Sequence, residues 1–264
     1  MELPSAAPCA VVPVSRVPRR LLSLPLPAGF SPPQSPAALR RAAEAVADML
    51  GAPALTPLCR ELGPGAWMVA FLHGAPRMRR AATYEDGAPG CVRYIPRSAE
   101  LAVADCAHGL LYLSSPEGEP PERLFPAFNG TLFPGRAPAA PFPGHAFDVS
   151  ALRLLTAEAR SPEAPGAPWR RLCLKSLTWG EPGCAPALTR RLWSGDGFAE
   201  FDATGDPWPP RLLSAGLTFR TPGSRQTYVG EFFQGTGALR ASLAPATLGT
   251  LAALVRLLRG DGHA

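Results

Sequence analysis

The chain has 264 residues, of which 46% are apolar and 18% are charged, and its formal net charge is +5. This apolar content is enough to build the core of one large or two small domains, which argues against global disorder. No apolar run reaches the roughly 18 residues that a transmembrane helix needs, so no membrane partner is expected.

The positive charge is distributed unevenly along the chain. Residues 1–97 carry 11 basic and 6 acidic side chains, so the whole net charge lies in this part. A localised positive field favours an anionic partner and speeds its encounter. Lys175 is the only lysine among 26 basic side chains, and alanine, arginine, proline and glycine are abundant. These residues have GC-rich codons, so the excess of arginine can result from a GC-rich genome. In that interpretation the arginines simply form a solvated surface and bind no partner.

The first 34 residues are predicted to form an extended N-terminal segment, followed by a single domain over residues 35–264. Within the segment, Cys9–Val14 is a candidate edge strand, where a proline is tolerated. The N-terminus has no continuous apolar run of the kind found in a secretory signal. The six cysteines lack zinc-binding spacing and are typical of buried, reduced thiols, so we expect a cytoplasmic location.

An amphipathic helix is predicted to follow this segment. Ser35 is a typical N-cap, Pro36 a typical first helical residue and Gly51 a typical helix end. Apolar residues recur between them at helical spacing: Leu39, Ala42, Val46, Met49 and Leu50. The pattern predicts about four turns with one face packed on the core.

Short apolar runs separated by turns predict β structure over residues 66–113. The runs are Ala66–Leu72, Arg77–Tyr84, Cys91–Ile95, Glu100–Cys106 and Leu110–Leu113. Their connections are too short for crossover helices, which favours an antiparallel meander. The Pro/Gly-rich connection that follows, residues 114–148, is also rich in phenylalanine. Because flexible linkers are polar, we expect it to be an ordered loop packed across the sheet, and loops of this length are often functional.

The second half is predicted to contain more strands and a closing helix. The elements are a short helical patch at Val149–Thr156, strands at Leu172–Thr178, Leu212–Arg220 and Gln226–Phe233, and a helix over Pro245–Arg259. The last two strands are predicted to form a hairpin. The sequence therefore predicts an α+β fold. Its sheet is mostly antiparallel, with an N-terminal and a C-terminal amphipathic helix and a long Pro/Phe-rich ordered loop.

The densest cationic cluster falls in the predicted hairpin of the first half. Its members are Arg77, Arg79, Arg80, Arg93 and Arg97, with Tyr94 as a stacking residue. Arginine forks bind phosphate or carboxylate through paired hydrogen bonds, and aromatic rings stack on nucleic-acid bases. The cluster predicts contact with nucleic acid or with an acidic protein surface. A solvated strand face paired with Glu85, Asp86 and Glu100 is the alternative.

An acidic cluster lies in the second half. Its members are Asp196, Glu200, Asp202 and Asp206. Carboxylates are preferred ligands of Mg²⁺ and Ca²⁺, although this spacing is not that of an EF-hand. Neighbouring glycines also fit Asp196 and Asp206 to turns. No cofactor is expected, and a divalent metal is implied only by the alternative function, a metal-assisted hydrolase.

Asp105, Cys106 and His108 bring three reactive side-chain types together in sequence. Catalytic partners meet in space rather than in sequence, and the chain lacks both a G-x-S-x-G elbow and a Walker A loop. We therefore assign no catalytic residue. The sequence favours a non-catalytic binding or adaptor protein for an anionic partner, and a structural subunit of a larger assembly is a third hypothesis.

Overall fold

The computed structural model describes residues 19–26, 30, 35–51, 55–74, 78–83, 89–94, 97–114, 146–164, 166–180 and 188–260. The predicted strand Cys9–Val14 and residues 115–145 of the predicted loop lie outside them.

Contacts divide the chain into two compact units. The N-terminal unit comprises Arg20–Asp148 with Gly235–Leu239, and the C-terminal unit comprises Val149–Gln234 with Arg240–His263. The extended segment over residues 1–34 and the single domain over 35–264 stay predictions.

The described part of the chain contains twelve strands. In chain order they are β1 (Arg19–Pro25), β2 (Thr56–Gly63), β3 (Ala66–Gly74), β4 (Met78–Thr83), β5 (Pro89–Tyr94), β6 (Arg97–Asp105), β7 (Leu110–Ser114), β8 (Arg171–Gly180), β9 (Leu188–Leu192), β10 (Leu212–Arg220), β11 (Thr227–Phe233) and β12 (Ala238–Ala241). Ten of them form an antiparallel sheet in the order β2-β3-β6-β7-β1-β12-β11-β10-β8-β9, while β4 and β5 form a separate pair. The large antiparallel sheet is compatible with the predicted α+β class.

Four α-helices accompany these strands in the described residues. They are α1 (Pro36–Leu50), α2 (Ala157–Arg160), α3 (Gly197–Thr204) and α4 (Leu248–Arg259), with 3₁₀ segments at Val149–Leu154 and Pro245–Thr247. None of these helices is both long and apolar enough to cross a membrane.

In the N-terminal unit, α1 packs its apolar face on the sheet. Ser35 caps the helix by accepting a hydrogen bond from the Ala38 N–H at 3.1 Å, and Gly51 ends it in the left-handed region with φ 61°. The buried cluster beneath it combines helix and strand side chains: Ala42, Ala43, Val46, Leu22, Leu24, Val69, Phe71, Ala102, Ala104, Leu111 and Leu113. Burial of this stripe stabilises the helix more than its intrinsic propensity does.

The β4–β5 pair belongs to the N-terminal unit and lies between β3 and β6 in the chain. β3 and β6 pair as far as Gly74 opposite Arg97, and β4 and β5 pair from Met78 opposite Tyr94 to Thr83 opposite Pro89.

In the C-terminal unit, β8 and β10 have an apolar face formed by Leu172, Leu174, Leu217 and Phe219, all at most 1% exposed. The 3₁₀ segment Val149–Leu154 contacts both β10 and α4, while α2 and α3 contact β8.

Sequence patterns did not indicate β2, β9, β12 or α3. β2 and β9 are the two edge strands, and their mixed polar and apolar residues lack the alternation of a half-buried strand. β12 has only four residues. α3 is weakly amphipathic and begins at a glycine, Gly197. Tertiary packing decides these elements, so a single-sequence pattern carries little signal for them.

Candidate functional site

The arginine-rich strands form the hairpin that the sequence predicts. In β4 and β5, which we name the arginine hairpin, Arg79 lies directly opposite Arg93 and Arg80 lies opposite Val92. Like charges at directly opposing positions destabilise an antiparallel pair. Neither strand contains an acidic residue.

The other predicted members of the cluster are Tyr94, Arg97 and Arg77. Tyr94 is opposite Met78 in the last described pair of β5. Arg97 begins β6 and lies opposite Gly74. Arg77 lies outside the described residues. The structure therefore places Arg79, Arg80 and Arg93 in one strand pair and Arg97 at the start of β6 in the large sheet.

The predicted counter-charges do not lie in the described strands of the arginine hairpin. Glu85 and Asp86 are outside the described residues. Glu100 is fully buried in β6, opposite Phe71 of the large sheet.

Asp196, the first residue of the acidic cluster, holds a turn together. Its Oδ1 accepts the N–H of Phe198 at 3.1 Å, as the N-cap of α3, and the N–H of Leu174 in β8 at 3.0 Å. One carboxylate therefore starts the helix and fixes it to the sheet.

The other three carboxylates lie apart from this turn. Glu200 pairs with Arg191 of β9, and Asp202 pairs with Arg160, whose side chain is only 7% exposed. Asp206 is exposed. Among the described residues no group of three or more His, Cys, Asp or Glu side chains could hold a metal ion. The geometry thus gives the metal-assisted hydrolase no support.

Aromatic rings pack against one another around the acidic cluster. The rings of Phe201 and Trp208 stack at 4.8 Å, and Trp193 lies 5.8 Å from Phe201. The Arg191 guanidinium lies 5.2 Å from the Trp193 ring. A guanidinium over an aromatic face is a favourable contact. Arg191, which pairs with Glu200, therefore also stabilises the packing of Trp193.

Asp105 and His108 form a contact within the β6–β7 turn. The Asp105 carboxylate is buried, accepts the backbone N–H of His108 at 3.2 Å and lies 2.8 Å from its Nδ1. Cys106 between them is exposed, and burial, then the Asp105 charge, raises the pKa of its thiol. A raised pKa is the opposite of what a nucleophilic cysteine needs. The arrangement therefore supports a turn-capping role.

A groove of about 320 Å³ lies on the C-terminal unit, and the sequence patterns did not indicate it. Arg171 of β8 lies directly opposite Arg220 of β10, and both side chains are exposed in the groove. The Arg220 Nε is 3.5 Å from the Thr227 hydroxyl, which also lines the groove. No carboxylate among the described residues lies within ion-pair distance of either guanidinium.

A β-bulge shapes the other side of this groove. The register of β8 against β10 shifts so that Lys175 has no partner between the pairs Leu174–Leu217 and Ser176–Gly216. A bulge redirects the side chain of the extra residue. The Lys175 ammonium donates to the carbonyl oxygens of Ser194 at 2.9 Å and of Gly195, in the turn that borders the groove.

The groove is visible in the tertiary structure and not in the sequence alone. The alternation of Arg171, Cys173 and Lys175 along one strand face is visible in the sequence and is the one available signal. The partner Arg220 is 49 residues further along the chain, so only the strand register brings the two arginines together.

No protein-family model matches the chain, and no curated protein matches it.

Proposed function

We propose that the protein is a non-catalytic binding protein, acting in the cytoplasm, that contacts an anionic partner through the arginine hairpin. The partner is a nucleic acid or an acidic protein surface. Arg79, Arg80 and Arg93 make the contact, with Arg77, Arg97 and Tyr94 contributing beside them.

One observation carries this proposal: Arg79 and Arg93 occupy directly opposing positions of a strand pair that has no acidic residue. Such a pairing has a cost in the free protein. Arginine binds phosphate and carboxylate oxygens with two parallel hydrogen bonds. A bound polyanion would therefore replace the repulsion between the two arginines with favourable contacts.

The distribution of charge gives further support. The whole net charge of +5 lies in residues 1–97, which include the arginine hairpin. A polyanion would therefore be steered toward this part of the protein. We also retain the prediction that the Phe-rich connection over residues 114–148 is ordered and adds apolar contacts to the same partner.

The test compares the double variant Arg79→Ala/Arg93→Ala with the charge-matched control Arg40→Ala/Arg41→Ala. The control arginines are exposed on α1, in the same unit. Binding of a fluorescent single-stranded oligonucleotide and of fluorescent polyglutamate is measured by anisotropy. Arg79→Lys/Arg93→Lys retains the charge but removes the planar forks, so it separates charge from geometry.

We expect one of the two probes to bind the unaltered protein, with the affinity reduced at least tenfold in the hairpin variant and unchanged in the control. The probe that binds identifies the class of partner. Absence of binding to both probes would overturn the proposal. Equal affinities for the unaltered protein, Arg79→Ala/Arg93→Ala and Arg40→Ala/Arg41→Ala would also overturn it. Circular dichroism confirms that each variant is folded.

A second candidate function, a subunit of a larger assembly, rests on a different observation. Leu188 and Leu192, at the two ends of edge strand β9, are each 70% exposed. An edge strand with exposed apolar side chains favours association. Native mass spectrometry of the unaltered protein and of Leu188→Ser/Leu192→Ser tests this. An assembly lost in the variant supports it, and a monomer in both proteins contradicts it.

A further inference from the structure

We propose that the groove between β8, β10 and the Ser194–Asp196 turn binds a small phosphate monoester from solution. This site lies in the C-terminal unit and is independent of the arginine hairpin.

The charge arrangement points to an anion. Arg171 and Arg220 lie opposite each other without a carboxylate partner among the described residues, and Lys175 adds a third cation to the groove. Residues that oppose each other across antiparallel strands have Cα atoms about 4.5–5.5 Å apart, so two arginine forks can reach one tetrahedral anion. Bound phosphate would neutralise the repulsion between the two arginines.

Asp196 is the one carboxylate among the described residues that line the groove, and its Oδ1 is already hydrogen-bonded. Its Oδ1 already accepts the two backbone N–H groups of Leu174 and Phe198. The groove therefore has three cations against one internally hydrogen-bonded carboxylate. The surplus charge of about two matches a phosphate monoester, which carries roughly −1.5 to −2 at neutral pH.

Hydroxyl groups and one ammonium proton complete the set of donors. The Thr218 and Ser194 hydroxyls line the groove beside the arginines. Lys175 uses two of its donors on the Ser194 and Gly195 carbonyls, and an ammonium has three. Its third N–H is left for a ligand, while the first two hold the turn in place, so the site is formed before the ligand arrives.

The size of the groove favours an ester over free phosphate. Its volume of about 320 Å³ is at the lower end of the range for small-molecule sites, roughly 300–1,000 Å³. Inorganic phosphate fills only part of such a space. The remaining surface includes Cys173, which gives an attached organic group an apolar contact.

The experiment titrates the full chain with inorganic phosphate, glycerol 3-phosphate and glycerol, at constant ionic strength. Binding is measured by calorimetry and by the amide NMR shifts of Gly195, Thr218 and Thr227. The test variant is Arg171→Ala/Arg220→Ala, which removes a like-charge pair and is therefore expected to fold. The charge-matched control in the same unit is Arg211→Ala/Arg240→Ala, at two exposed arginines outside the groove.

We expect saturable binding of glycerol 3-phosphate, weaker binding of phosphate and no binding of glycerol. Affinity should fall at least tenfold in the test variant and remain unchanged in the control. The proposal is overturned if neither phosphate compound gives saturable shifts in the groove, or if both double variants lose affinity equally. It is also overturned if a single-stranded oligonucleotide shifts the groove amides while glycerol 3-phosphate does not. Arg79→Ala/Arg93→Ala should bind glycerol 3-phosphate normally, so failure of this proposal and of the proposed function are distinguishable.

Discussion

At the scale of single residues, Cys106 is an exposed thiol whose surroundings disfavour the thiolate form. Burial of the sulfur, followed by the charge of Asp105, raises the pKa of the Cys106 thiol above its ordinary value. Because only the thiolate is nucleophilic, the reactive fraction at neutral pH is smaller than in a free cysteine.

We therefore predict that iodoacetamide modifies Cys106 more slowly than a cysteine in an unstructured peptide at neutral pH. The rate should rise as the pH approaches the raised pKa. Peptide mass spectrometry after timed alkylation measures this, with Cys106→Ser identifying the signal. Modification at neutral pH as fast as that of the peptide would contradict a turn-capping role and revive a nucleophilic one.

Gly197 is the second residue whose surroundings are decisive. A Cβ atom added there would lie 2.7 Å from Cδ2 of the Trp193 indole. The indole also lies 5.2 Å from the Arg191 guanidinium and 5.8 Å from the Phe201 ring.

Gly197→Ala should therefore destabilise the protein by about 1–3 kcal/mol, the usual cost of overpacking. Gly195→Ala is the matched control, because an added Cβ there meets nothing within 4 Å. Urea unfolding compares the two variants. Equal free energies of unfolding would show that the indole relaxes without cost.

At the scale of elements, Asp196 joins α3 to β8. Asp196→Ala removes an N-cap and leaves the buried Leu174 N–H without its acceptor. The expected loss in the free energy of unfolding is about 1–3 kcal/mol, and millimolar Mg²⁺ or Ca²⁺ should not alter it.

Asp206→Ala is the control for this prediction. Asp206 is exposed, so its replacement should change stability by no more than about 0.5 kcal/mol. Thermal unfolding with and without metal measures both variants. A metal-dependent stabilisation that either substitution abolishes would restore the metal-site hypothesis.

In the arginine hairpin, the pair Arg79–Arg93 should lower the stability of the free protein while it allows binding of the anionic partner. In Arg93→Glu, opposite charges would face each other across β4 and β5. The free energy of unfolding should therefore rise by roughly 0.2–1 kcal/mol. The same substitution should abolish binding of the anionic partner.

Arg80→Glu makes the same change in charge at a position opposite Val92, so it should weaken binding without raising stability. Chemical denaturation and anisotropy compare the two variants. A fall in stability for Arg93→Glu would contradict the role assigned to the opposing arginines.

Local patterns predicted some elements and missed others for definite reasons. Apolar runs mark the two strands of the β10–β11 hairpin. Ser35, Pro36 and Gly51 mark the ends of α1, because each acts on the backbone next to it. The edge strand β9 has no such marker, because nothing covers most of its side chains. The acidic segment was ambiguous in sequence, since an N-cap aspartate and a metal ligand have the same composition.

At the scale of the whole molecule, the same arrangement occurs twice. Arg79 opposes Arg93 in the N-terminal unit, and Arg171 opposes Arg220 in the C-terminal unit. The hairpin that holds the first pair was predicted because its strands are close in sequence, whereas the Arg79–Arg93 register comes from the structure. The second could not be predicted, since its register depends on strands that are distant in sequence.

The most direct test of the arginine hairpin is the salt concentration at which the protein leaves a heparin column. Heparin is a generic polyanion, so the measurement does not require the natural partner. Each arginine that contacts a polyanion contributes to the salt dependence of binding. Arg79→Ala/Arg93→Ala should leave the column at clearly lower salt than Arg40→Ala/Arg41→Ala, although both lose two positive charges. Elution of both variants at the same salt concentration would show that only net charge matters, and it would contradict the assigned contact.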